Sequence, residues 1–118
     1  MAGSPHIPKE EQINALLSGG IGHLVSRYCG GNWSDLPKGW TAGKAEILAE
    51  AKRRGLNKFV ALRPTSEGFW LLETETGYVV FYLERGARAY HEEFTKLEPA
   101  FLHWLDQELR VSGLPVLG

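Results

Sequence analysis

Cysteine is nearly absent from this 118-residue chain, with Cys29 the single example. No intrachain disulfide can form, and a four-cysteine zinc site is excluded. A reducing, cytoplasmic setting is the simplest expectation. Long apolar runs are missing too: nothing approaches the ~20 residues of a membrane-spanning helix. The opening MAGSPHIPKEEQ lacks the apolar centre of a secretory signal. Neither sign of charge dominates, with 13 Lys and Arg against 14 Asp and Glu and a net charge of −1. Broad nucleic-acid binding needs a surplus of cations facing phosphate, so this balance argues against it while leaving room for a small basic patch. Internal repeats, low-complexity blocks and interdomain linkers are also missing. One domain over residues 1–118 is expected, with 1–7 a loose end, disordered or foreign to the natural chain.

What is present is concentrated in Gly68 to Glu84, GFWLLETETGYVVFYLE. Two runs rich in aromatic and branched residues meet at Thr76-Gly77, which predicts a β-hairpin turning on Gly77. A two-residue loop would set position 75 opposite 78 and position 73 opposite 80. One face then carries Trp70, Leu72, Thr74, Val79, Phe81 and Leu83, an almost pure core face. The other mixes Phe69, Leu71 and Val80 with Glu73, Glu75, Tyr78, Tyr82 and Glu84. Tyrosine is enriched in interface cores, and carboxylates speed encounter with a basic partner. Glu73, Glu75, Tyr78, Tyr82 and Glu84 are therefore the expected partner-binding residues, unless another segment of the chain covers them.

The rest of the chain predicts an α+β fold: an antiparallel meander of three or more strands, with N-terminal helices and a C-terminal helix packed on it. Pro8, Glu10 and Glu11 suit a helix start, and apolar residues at 13, 16, 17, 21, 24, 25 and 28 keep a helical phase. The phase crosses Gly19-Gly20, so either one bent helix or two helices fill 8–28. Residues 30–40, GGNWSDLPKGW, form a turn-rich loop. Thr41 is a candidate cap for a helix ending near Arg54 and Gly55, with Ile47, Leu48 and Ala51 as its apolar stripe. Lys58–Arg63 reads as a strand before the turn at 64–68, and 85–93 as a polar connection with a short edge strand as the alternative. Thr95 and Glu98 form a capping box for a helix to about Arg110, whose Leu97, Phe101, Leu102, Trp104, Leu105 and Leu109 share a face. That helix is expected on the Trp70/Leu72/Phe81 side of the sheet. The apolar residues of the tail VSGLPVLG suggest that it lies against the body.

Candidate chemistry is sparse. Cys29, His23 and Asp35 supply the residue types of a nucleophile set, but any chain with one Cys and four His offers such a set, and a packed thiol is the preferred reading of Cys29. His91-Glu92-Glu93 supplies metal-ligand types at a spacing that does not converge on one ion, so no metal or cofactor is expected. Gly39 to Lys44 lacks the spacing and the Ser/Thr of a phosphate loop. Arg53, Arg54 and Lys58 fall at a helix C-terminus, where cations offset the dipole. Trp33 and Trp40, on the glycine-rich loop, either plug the core or anchor a partner. No catalytic residues are assigned, and the chain reads as a binder.

From Phe59 to Leu109 the sequence resembles the C-terminal portion of SUKH-type bacterial immunity proteins, which share their fold with the yeast cell-wall regulator family. The matching pattern is a strand, a turn, the hairpin LLETETGYVVFYL, an irregular acidic stretch, then a helix opening FTKLEPAFLHWLDQEL. Glu73 stands near the family's acidic position, Gly77 at its turn, and Phe94, Phe101, Leu102 and Leu105 on its helix. The resemblance implies a cytoplasmic, non-catalytic protein that neutralises a toxic effector enzyme by binding it directly. The alternative is a small enzyme or nucleic-acid-associated regulator using the Trp33/Trp40 loop and the Arg53/Arg54 end.

Overall fold

The computed structural model describes residues 5–118; the first four residues of the expected loose end lie outside it. The fold is α+β, with five α-helices and one three-stranded antiparallel sheet among the described residues. Two compact units divide the chain: one runs up to Glu50 and includes Leu109–Gly118, and the other is Ala51–Glu108.

In the first unit, two helices fill the segment, α1 (Lys9–Ser18) and α2 (Ile21–Tyr28), the second of the two expected alternatives. Gly19 ends α1 in the left-handed region, at φ 81°, and its N–H bonds Ala15 O. Glycine adopts that conformation without a Cβ penalty, so the break falls there. Ile7 is buried, which corrects the expectation of a loose end through residue 7. The loop after α2 closes into a 3-10 turn, Trp33–Asp35, and a single helical turn, α3 (Leu36–Gly39).

Helix α4 (Lys44–Arg54) starts later than a Thr41 cap would have it. The Thr41 N–H is taken by Gln12, and the cap falls on Gly43, whose N–H donates to Glu46 Oε1 at 3.0 Å. That is one half of a capping box. The tail returns to the same helix end, as its apolar residues suggested. Lys44 N–H donates to Leu117 O at 2.9 Å and Ala45 N–H to Gly118 O at 3.2 Å. A β-carbon on Gly43 would overlap the Gly118 oxygen, so this approach needs glycine.

In the second unit, β1 (Gly68–Thr74), β2 (Gly77–Glu84) and β3 (Ala87–Phe94) pair in the order β1-β2-β3. The meander is the expected one in type, but its third strand is different. Residues 58–63 are not a strand: a 3-10 turn covers Leu56–Phe59, and only Ala61 bridges β1, its N–H donating to Leu71 O at 2.9 Å. The third strand comes from the polar segment expected to be a connection, or at most a short edge strand, and it is eight residues long. Its turn, Arg85-Gly86, has both residues at positive φ (51° and 78°) between the paired Glu84 and Ala87, as a tight hairpin turn requires. As an exposed edge strand, β3 carries charge instead of apolar alternation, which hides it from a hydrophobic pattern.

The first hairpin closes on Glu75-Thr76, not Thr76-Gly77: Thr74 pairs with Gly77 and Glu73 with Tyr78. The register differs from the expected one by two residues, so the strand side chains keep their predicted faces while Glu75 moves onto the turn. Gly77 is required for another reason, because a β-carbon there would overlap the Phe94 carbonyl oxygen.

Helix α5 (Leu97–Val111) buries Ala100, Phe101, Leu105 and Leu109. It starts beyond the Thr95 cap position, and Glu98 instead pairs with Lys52 at 2.6 Å. It also covers the opposite sheet face from the one expected. Phe94 shares the face of its cross-strand partner Tyr78, and the Phe94 ring lies 5.3 Å from that of His103 on α5. Leu71 and Val80, on this same face, are 1% and 0% exposed. The Trp70 face keeps its own cluster: Leu72, Val79 and Phe81, with Ala61, Trp70 and Leu83 against them. The Arg88 guanidinium caps it, 4.1 Å from the Phe81 ring centre.

Candidate protein-binding surface

Of the five residues expected to bind a partner, Glu73, Tyr78, Tyr82 and Glu84 share one sheet face, but they do not form one patch. α5 lies on that face, with His103 against Phe94 and Trp104 bonded to Phe69 O, and Leu71 and Val80 in the middle of the face are buried. Glu73 and Tyr78 fall to one side, Tyr82 and Glu84 to the other, and Glu75 sits on the turn. Glu73, Glu75 and Glu84 are exposed; Tyr78 and Tyr82 are half-buried.

Glu73 and Tyr78 are directly opposed across β1 and β2. Together with Asn57, Val60, Ala61 and Leu62 they line an open groove of about 550 Å³. Its far wall is the segment that failed to become a strand. Because only Ala61 joins the sheet there, the chain peels away and leaves Leu62 fully exposed at 102%.

At the other end, three aromatic rings cross three strands. Phe69 of β1 meets Tyr82 of β2 edge to face at 4.9 Å, and Tyr90 of β3 at 6.4 Å. The Phe69 carbonyl accepts the indole N–H of Trp104 from α5 at 3.3 Å. Tyr90 was missing from the sequence expectation, and it is the most unusual residue of the group. Val80 pairs with Glu92 while Tyr82 pairs with Ala89, so β3 holds one residue more than β2 over this stretch. Tyr90 occupies that bulge at φ 54°, a position where glycine is usual. Holding a β-carbon there costs on the order of 1–2 kcal/mol. The ring nevertheless stays 76% exposed. With His91, Glu92, His103 and Gln107 it borders a depression of about 210 Å³. The only sequence signal for Tyr90 was an aromatic residue alone in a polar run.

The tryptophan pair separates. Trp40 is buried at 4%, and its indole N–H donates to Ala42 O at 3.0 Å, so it is a core residue and offers no surface to a partner. Trp33 is 55% exposed. Arg53 and Arg54 each engage other groups of the protein. Cys29 is buried, and desolvation, aided by the Asp35 carboxylate, pushes its thiol above the ordinary value. That shift disfavours the thiolate a nucleophile needs. His91 turns to Glu93, Nε2 to Oε2 at 3.4 Å.

Comparison of the chain with protein-family models, curated proteins and solved structures gives no match.

Proposed function

We propose that this chain is an immunity-type binding protein, which neutralises a toxic effector enzyme by direct contact through the sheet face beside α5. The observation that carries the binding part is Tyr90: an aromatic ring displayed to solvent from a strained backbone position. Strain of this kind persists where the surrounding structure imposes it, and it gathers at functional sites. Tyr82 and Phe69 back the ring, giving an amphipathic contact with few rotatable bonds, the type of residue that dominates interface energetics. The neutralising role rests on the resemblance of residues 59–109 to the SUKH-type family.

Co-expression with the product of a neighbouring gene tests this. The expected result is restored growth of cells poisoned by that product, and a stoichiometric complex on gel filtration. Replacing both Tyr82 and Tyr90 by Ala should abolish both effects while leaving the melting curve cooperative. Full protection by that double variant would overturn the assignment of the surface.

A further inference from the structure

The groove beside the first hairpin has a chemistry of its own. The Glu73 carboxylate lines it with no ion-pair or hydrogen-bond partner among the described residues. Tyr78 stands directly opposite, so the carboxylate and the ring are cross-strand neighbours with β-carbons ~5 Å apart. Asn57 adds a side-chain amide, and Val60, Ala61 and Leu62 form an apolar wall. Leu62 gains nothing for the isolated fold, because it is wholly exposed.

We infer that this groove receives an arginine side chain from the protein partner, a specification that rests on the binding reading above. Four features of the groove match four features of arginine. A carboxylate accepts the guanidinium fork through two parallel hydrogen bonds. A tyrosine face attracts the same planar cation. The Asn57 carbonyl can accept one of the remaining N–H groups. The apolar wall takes the three-carbon stem, which arginine buries along hydrocarbon while its head stays hydrogen-bonded. Lysine offers a point charge and no plane, so it satisfies fewer of these contacts. The groove is much larger than one side chain, leaving room for the backbone that carries it. Glu75, exposed on the adjoining turn, adds a second negative charge that draws the cation in.

The test uses the full chain and three blocked tripeptides: acetyl-Gly-Arg-Gly-amide, its lysine counterpart, and its citrulline counterpart, which keeps the shape and loses the charge. Titration followed by ¹H–¹³C and ¹H–¹⁵N NMR should move the Leu62 methyl, Tyr78 ring and Glu73 signals with the arginine peptide. Apparent affinity should fall about tenfold for citrulline and less for lysine, and should weaken with added salt. Glu73→Gln, isosteric at an exposed site, should keep its melting temperature and lose the response. Equal shifts with citrulline, equal affinity for lysine, or an unchanged response in Glu73→Gln would each overturn the inference. The binding reading is judged apart from this. An intact effector complex with Glu73→Gln at unchanged affinity sinks the groove alone. Glu73-dependent arginine binding with no effector complex sinks the immunity reading alone.

Discussion

The side-chain oxygen of Gln12 accepts the backbone N–H of Ala42 at 2.9 Å, across 30 positions of chain. The same oxygen accepts Thr41 N–H at 2.8 Å, and the amide nitrogen donates to Ile7 O, Thr41 Oγ1 and Gly39 O. Both neighbouring backbone groups are donors, so the orientation of the amide is fixed. Gln12 is fully buried, the one buried polar side chain of the described residues, and it ties the entry segment, α1 and the lead into α4 together.

Replacing Gln12 by Ala or Leu leaves two backbone donors and their matching carbonyls without partners in the interior. Each such group costs about 1–3 kcal/mol. The expected loss is roughly 3 kcal/mol or more in urea unfolding. Gln12→Glu should also destabilise at neutral pH, because a carboxylate cannot donate to Ile7 O.

Phe81→Ala should cost about 3–5 kcal/mol, the usual range for emptying a buried aromatic site. Phe81 is wholly buried at the centre of its cluster and stacks beneath Arg88. A loss below about 1 kcal/mol would mean that the Trp70 face is not a packed core.

Arg85 sits at φ 51° in a turn that favours asparagine or glycine. Arg85→Asn should raise stability by about 0.5–1 kcal/mol. Its backbone N–H keeps its bond to Glu67, and partner binding should not change.

Tyr90→Gly separates the two roles of the bulge. Glycine relieves the positive φ, so the melting temperature should hold or rise, while the lost ring should weaken the effector complex by about 2 kcal/mol. Weaker folding with unchanged affinity would show that Tyr90 serves the fold.

Glu108 on α5 is partly buried, and desolvation raises its carboxyl above the ordinary 4.5. The folded state therefore holds the proton more firmly than the unfolded chain. This contribution to stability is present below the unfolded value and is lost as pH rises through the raised folded value. Glu108→Gln should match the natural chain near pH 4 and exceed it at neutral pH. Thermal melts across pH 4–8 check the crossing.

The sequence by itself determined the α+β class, the place at Gly19-Gly20 where the N-terminal helix must bend or break, the first hairpin and the two faces of its strands. Those features are local. They follow from glycine's access to positive φ and from a side-chain period of two, and a two-residue slip in register left the faces intact. Tertiary structure alone decided which segment became the third strand. A polar edge strand buries almost nothing, so β3 left no apolar pattern, while Phe59 and Val60 imitated a strand that only Ala61 joins. The packing side of α5 was equally undetermined, because both sheet faces carry large apolar residues and only complementary shape selects between them. That selection covered Leu71 and Val80, parted the carboxylate groove from the aromatic stripe, and brought Tyr90 beside Phe69 from a strand the sequence offered only as a short edge.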